Sequence, residues 1–205
     1  MSRKLLALVF PLLLAACANP AADKPKAVTS EAAPVASNPA GGQRYSITPD
    51  NSDITFVGSK VTGSHNGSFE KFTGAIDYLG QPEKSRVTVV INLDSVTADD
   101  PKLTNHLKTA DFFDVAKYPV ASFESTEIKP GGQAGATHTI TGNLQLHGVT
   151  KAITFPATIS ADGDAVAVSS TFSINRKDFG INYAGARDNL IRDDVVLGLK
   201  VRATK

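Results

Sequence analysis

From Arg44 to Lys205 apolar and polar residues alternate with a period of two far more often than with the 3.6 of a helix. Val87, Val89, Ile91 and Leu93 are separated by Thr88, Val90 and Asn92. Ile140, Leu144 and Leu146 alternate with Thr141, Asn143 and Gln145. Further on, Ile153, Phe155 and Ile159, then Val166, Val168, Phe172 and Ile174, then Val195, Leu197, Leu199 and Val201 repeat the pattern. Each run predicts a strand with one apolar face. Asn66-Gly67, Leu79-Gly80-Gln81-Pro82, Pro130-Gly131-Gly132, His147-Gly148 and Asp162-Gly163 supply turns between them. One stretch, Pro101 to about Ala110, reads as helix: Asp100 can cap it, Pro101 suits its first position, and Leu103 and Leu107 lie one turn apart. About eight antiparallel strands must hide their apolar faces in a sandwich or a closed barrel, and few inward charges favour the barrel. The predicted fold is therefore all-β, an antiparallel barrel of about eight strands with one short helix. Such an interior is either filled by its own side chains or holds one slender ligand.

The first 43 residues follow another logic. Met1 to Ala16 has Arg3 and Lys4 ahead of the apolar run Leu5–Leu14, the form of a secretory leader too short to span a bilayer. Leu14-Ala15-Ala16-Cys17 then leads into the only cysteine of the chain. This segment resembles the lipobox of bacterial lipoproteins, and the resemblance implies a diacylglycerol on the Cys17 thiol and a further acyl chain on its amine. Two or three acyl chains hold a protein durably on a membrane where one alone does not. Ala18 after the cysteine favours the outer membrane by the same resemblance. Ala18 to Gln43 contains eight Ala and four Pro and no Leu, Ile or aromatic residue. It is expected to be a solvated tether, spanning about 28 Å as a coil. The predicted division is a leader at 1–16, a lipidated cysteine and tether at 17–43, and one barrel domain at 44–205.

Several segments of that domain carry a family resemblance. Asn105-His106-Leu107-Lys108-Thr109-Ala110-Asp111-Phe112-Phe113-Asp114, then Lys117-Tyr118-Pro119 and Ala121-Ser122-Phe123, form one. Ile140 to Lys151, Gly67 to Gly74 and Asn175 to Gly180 complete the order. The chain resembles the YceI-like family of secreted bacterial proteins. That resemblance implies a lipocalin-like barrel holding a polyisoprenoid, such as an isoprenoid quinone or a prenyl carrier, in an internal apolar pocket. The expected lining is Ile54, Phe56, Phe69, Phe72, Val89, Ile91, Phe113, Phe123, Ile140, Leu144, Leu146, Phe155, Phe172, Ile174, Leu197 and Leu199, with Leu103 and Leu107 on a lid helix. Two segments depart from the family pattern: Gly58 to Gly67 is more polar, and the loop from Asn182 to Asp194 holds Arg187, Asp188, Asn189, Arg192, Asp193 and Asp194.

Charge and chemistry narrow the classes. Lys and Arg total 21 against 20 Asp and Glu, with no basic stripe, which argues against nucleic-acid binding. There is no G-x-S-x-G elbow and no metal-ligand spacing among His65, His106, His138 and His147. His106 reads as a hydrogen-bonded residue near the helix end and His147 as part of a hairpin turn. No enzyme activity, metal or cofactor is expected; an isoprenoid or quinone-like lipid would be cargo. The leading expectation is a periplasm-facing carrier held on a bacterial membrane, with a scavenger of lipophilic compounds as a variant. The competing expectation is a filled barrel that contacts a partner, such as a membrane redox protein, through its loops. Oligomeric state is left open.

Overall fold

The computed structural model describes residues 19–35, 41–187 and 189–205. The strands are β1 (Val28–Glu31), β2 (Gln43–Ile47), β3 (Asp53–Lys60), β4 (Gly63–Phe69), β5 (Phe72–Tyr78), β6 (Arg86–Asn92) and β7 (Val96–Ala98). After helix α1 (Pro101–Leu107) come β8 (Val120–Pro130), β9 (His138–Leu146), β10 (Val149–Ala161), β11 (Ala165–Asn175), β12 (Gly185–Ala186), β13 (Asn189–Leu190) and β14 (Asp194–Thr204). Asp100 caps α1 as expected, its carboxylate accepting from the Lys102 N–H.

Three staves of the barrel are each broken in two. β2 and β3 lie end to end along one edge of β14, where Ser46 faces Thr204 and Asp53 faces Lys200. β4 with β5, and β6 with β7, follow the same break. Counting each pair as one stave, neighbours in sequence pair all the way round, and β11 closes the ring between β10 and β14. The result is a closed antiparallel barrel of eight staves.

Alternation sets which face points inward, with one change of phase. In β8, Ala121, Phe123 and Ser125 face one way, then the register shifts between Ser125 and Glu127, and Ile128 takes the buried position that strict alternation assigns to Glu127. Gly142 in β9 sits opposite Ser125 and under the Phe123 ring, where a Cβ would overlap that ring and the Glu124 carbonyl. His147 and Gly148 make the β9–β10 turn with φ of 52° and 76°, the two positive angles a two-residue hairpin of this twist requires.

The segment expected to be a solvated tether differs from that expectation within its described residues. Residues 19–35 lie against the barrel, with β1 pairing Val28–Glu31 to Lys151–Thr154 of β10. Ala21 and Ala27 are buried. An Ala- and Pro-rich composition with no large apolar residue does not bar docking through backbone hydrogen bonds, which is how this strand attaches. Residues 1–18, including the leader, Cys17 and Ala18, and residues 36–40 lie outside the described residues.

Candidate functional site

A continuous cavity of about 220 Å³ runs inside the barrel, and its free surface is entirely apolar. Its wall includes Ile47 and Val201 toward one end, and Phe112, Ile181 and Ile191 toward the end that carries α1. The space is why Val89, Ile91, Phe123, Leu144, Leu146, Leu197 and Leu199 keep partial exposure although alternation points them inward. The barrel is not packed solid across its middle.

Aromatic rings shape the space. Phe155 and Phe172 stack with centroids 4.2 Å apart and planes 8° apart, and Phe123 leans on Phe155 at 5.8 Å. Phe56, Phe69 and Phe113 form a second chain of rings, at 5.6 and 5.8 Å, that leads from the wall to the lid. At the far end the Tyr45 hydroxyl donates to the Gly163 carbonyl at 3.1 Å, above buried Ile76, Val166 and Ala203.

Most residues expected on the sequence to face a cavity do so: Ile54, Phe56, Phe69, Val89, Ile91, Leu107, Phe113, Phe123, Ile140, Leu144, Leu146, Phe155, Phe172, Ile174, Leu197 and Leu199 all stand on its wall. Two do not. Phe72 is buried in the barrel core without reaching the void, and Leu103 packs on the lid cluster around Phe56, Val96, Leu107, Phe112 and Ile181. Phe112, Ile181, Ile191 and Arg176 also line the void. None of these four lies in an alternating run; only Phe112 and Arg176 carried a signal, as parts of the family-like segments.

Arg176 closes the lid end from below. It is 4% exposed, its Nη1 donates to the Ile181 carbonyl at 2.6 Å, and its Nε donates to the Arg192 carbonyl at 3.1 Å. Asp193 lies 3.4 Å from Nη2. Burial lowers the pKa of Arg176 from its ordinary value, partly opposed by Asp193. An arginine remains charged at neutral pH all the same. Its polar end is thus spent on holding the loop from Ile181 to Asp193, and its stem faces the void.

The two segments that depart from the family pattern meet in this lid. The Val61 N–H donates to the Leu190 carbonyl at 3.1 Å, the Arg192 N–H to the Ser59 carbonyl at 2.8 Å, and the Thr62 hydroxyl to Asn189 at 2.8 Å. The two segments are thus tied to each other across the rim by two backbone bonds and one side-chain bond. Asp188 lies outside the described residues.

The histidines stand apart from one another. His106 pairs with Asp111 at 2.7 Å and meets the edges of Phe112 and Tyr183; His147 contacts the Phe179 carbonyl at 3.2 Å and the Tyr118 ring. His65 holds Asp99 at 2.8 Å, and with the Asn66 N–H, the larger cause, it keeps that carboxyl below the usual range. Among the described residues no group of His, Cys, Asp or Glu has a metal-binding arrangement. No described helix is long and apolar enough to cross a membrane.

A closed eight-stave barrel with a hydrocarbon interior and a lidded end leaves room inside for a slender apolar molecule. Residues 45–203 match the model of the YceI-like domain, and the chain belongs to that family. A UPF0312 protein of Pseudomonas putida strain W619 is 36% identical over 143 residues, covering 66% of this chain and 73% of its own. Among solved structures, Burkholderia cenocepacia BcnA superposes with a TM-score of 0.66 at 22% identity, over 77% of this chain and 99% of that one. A polyisoprenoid binding domain from Saccharophagus degradans gives 0.62 at 20%, over 78% and 97%, and at such identities the likeness concerns the fold. The Campylobacter jejuni YCEI protein gives 0.59 at 27% identity, over 68% and 84%.

Proposed function

We propose that this protein binds and carries an isoprenoid or similarly slender lipophilic molecule inside its barrel, beside a bacterial membrane to which Cys17 anchors it, and makes or breaks no covalent bond in doing so. The observation that carries this reading is the continuous apolar void, supported by membership of the YceI-like family and by likeness in fold to a polyisoprenoid binding domain. The void exceeds the ~150 Å³ that admits benzene in an engineered core and falls below the ~300 Å³ where drug-sized pockets begin, so it suits a thin chain better than a fused-ring body. A long isoprenoid must therefore push wall side chains apart or extend past the lid. Each buried methylene contributes ~0.8 kcal/mol without any polar contact, so affinity follows chain length more than head group.

Native mass spectrometry tests the cargo. Residues 17–205 carrying Cys17→Ser, purified without denaturation, are expected to release about one apolar molecule per chain or to take up a dansylated farnesyl probe saturably. Neither cargo nor uptake would overturn the carrier reading in favour of a barrel that works through its loops. Fractionation tests the anchor: the unmodified full chain should sediment with membranes and Cys17→Ser should not, and equal sedimentation of both defeats the anchor.

A further inference from the structure

The ring of staves has one weak seam. β10 and β11 pair only over Thr158–Ala161 and Val166–Ser169, although both strands continue toward the lid. The reason stands in the sequence at the next positions. The Pro156 carbonyl points to β11, where it accepts from the Ser170 hydroxyl at 2.5 Å, so the N–H that Pro156 lacks is missing on that same edge. From there the two strands part, and the edges of β10 at Lys151–Thr154 and of β11 at Ser173 are left without each other.

The N-terminal segment fills this split. β1 pairs with β10 over Lys151–Thr154, while on its other side the Ala27 N–H donates to the Ser173 carbonyl at 2.8 Å and the Ser173 N–H to the Pro25 carbonyl at 2.9 Å. Asn143 clasps the trailing end, accepting from the Ala33 N–H and donating to the Ala33 carbonyl at 2.9 and 2.7 Å. Directly behind, Phe155 and Phe172 stack across the parted strands, with Ile153 and Ile174 beside them on the cavity wall.

We propose that residues 25–31 are a detachable strand over a lateral portal between β10 and β11, through which an apolar ligand reaches the cavity. This rests on the carrier reading above. The strand is fastened mainly by backbone hydrogen bonds. Val28 is 66% exposed, Ser30 and Glu31 are exposed, and Ala27 alone among residues 25–31 is buried in the barrel core. Its ion pairs, Lys26 with Asp194 and Glu31 with Lys151, each keep one well exposed partner on the strand, so solvent screens them. A segment with so little buried apolar area opens at lower cost than the ladders around it. The family match begins at residue 45, so the strand is added to a barrel domain that is defined without it. Cys17 stands two residues before Asn19, within about 7 Å of chain, so a lipid on that cysteine keeps the portal close to the bilayer surface.

The test uses residues 17–205 with Cys17→Ser, so that introduced thiols are the only ones. Val28→Cys with Thr154→Cys, at partnered positions on the outer side, locks the strand when oxidised. Stopped-flow uptake and release of the dansylated farnesyl probe are expected to slow at least 10-fold in the locked chain and to recover with reductant, with the equilibrium affinity unchanged. Ala27→Glu, which puts a charge where the strand is buried, should speed both at least 10-fold. Hydrogen exchange of the unmodified chain needs no ligand: the amides of Ala27 and Ser173 should exchange at least 100-fold faster than those of the β11–β14 ladder. Equal probe rates in locked and reduced chains overturn the portal, as does exchange at Ala27 as slow as in that ladder. A chain with normal strand exchange that takes up no probe at all counts instead against the carrier reading.

Discussion

The two edges of β11 are built to opposite specifications. Along β14 it pairs without interruption from Ala165–Thr204 to Asn175–Asp194; along β10 it pairs for four residues and stops. The residues concerned are equally apolar on their inner faces, so hydrophobicity does not distinguish the edges. The difference lies in one missing N–H. A ladder is cooperative in its donors, and a proline facing the neighbour ends it where side-chain packing alone would have carried on. The barrel thus has a permanent seam and a provisional one, and the provisional one is covered by a strand from elsewhere in the chain.

Proline itself breaks this contrast most sharply. Leu197→Pro, in β14 between Phe172 and Phe56, removes a central donor and a cavity-wall side chain, and is expected to cost at least about 3 kcal/mol and to abolish folding. Ser30→Pro in β1 should lower urea stability by less than about 1 kcal/mol, since it touches only an edge strand. Comparable losses in both would show that the two seams are equally firm.

Phe172→Ala comes next, at about 3–5 kcal/mol in chemical denaturation, because the side chain is fully buried and joins the two seams. Leu144→Trp acts on the void and leaves both seams alone. It should weaken the farnesyl probe roughly 10-fold, ~1.4 kcal/mol, with the strand spectrum retained. An unchanged dissociation constant would place the ligand elsewhere.

Pro156→Thr sharpens the comparison from the other side. The donor it restores gains about 1 kcal/mol, and the freedom it returns to the unfolded chain costs about the same, so global stability should hardly move. Exchange protection at Thr171, whose N–H faces β10, should nevertheless rise as the ladder lengthens toward the lid.

The smallest effect concerns the turn that holds the short ladder. The Asp162 carboxylate accepts from the Ala165 and Asp164 N–H groups, at 2.8 and 3.1 Å, and these bonds, Ala165 first, keep its pKa below the ordinary value. A carboxyl lowered on folding stabilises the fold above its unfolded pKa of about 3.9, and that stabilisation is lost as pH falls through the lower folded value. Amide protection at Asp164 and Ala165 should therefore weaken in acid before that of β14 does. Asp162→Ala should abolish this pH dependence, and identical acid profiles for the two chains would remove the turn from the account.

Much of this architecture is legible in residue order. Alternation put Leu144, Phe155 and Leu197 on the inner wall because inward direction in a strand is a local, two-residue property. Asp100-Pro101 marked the start of α1 for an equally local reason. Ile128 was out of reach because the bulge before it changes phase without a distinctive residue. Ile181 and Ile191 were missed because they enter the cavity from a loop, where no period exists to read. The docked strand was misread as tether because composition reports what side chains can bury and is silent about an open backbone edge waiting elsewhere in the chain.

By itself, then, the amino-acid order determined one-faced strands, their one helix and the apolar identity of the inner face, since each depends on neighbours a few residues apart. The tertiary structure alone decided that the interior is hollow, that the two rim segments are tied together, and that residues 25–31 complete the wall. Those outcomes depend on how side chains and backbone edges from distant staves meet across space, and separations of that kind leave no period along the chain.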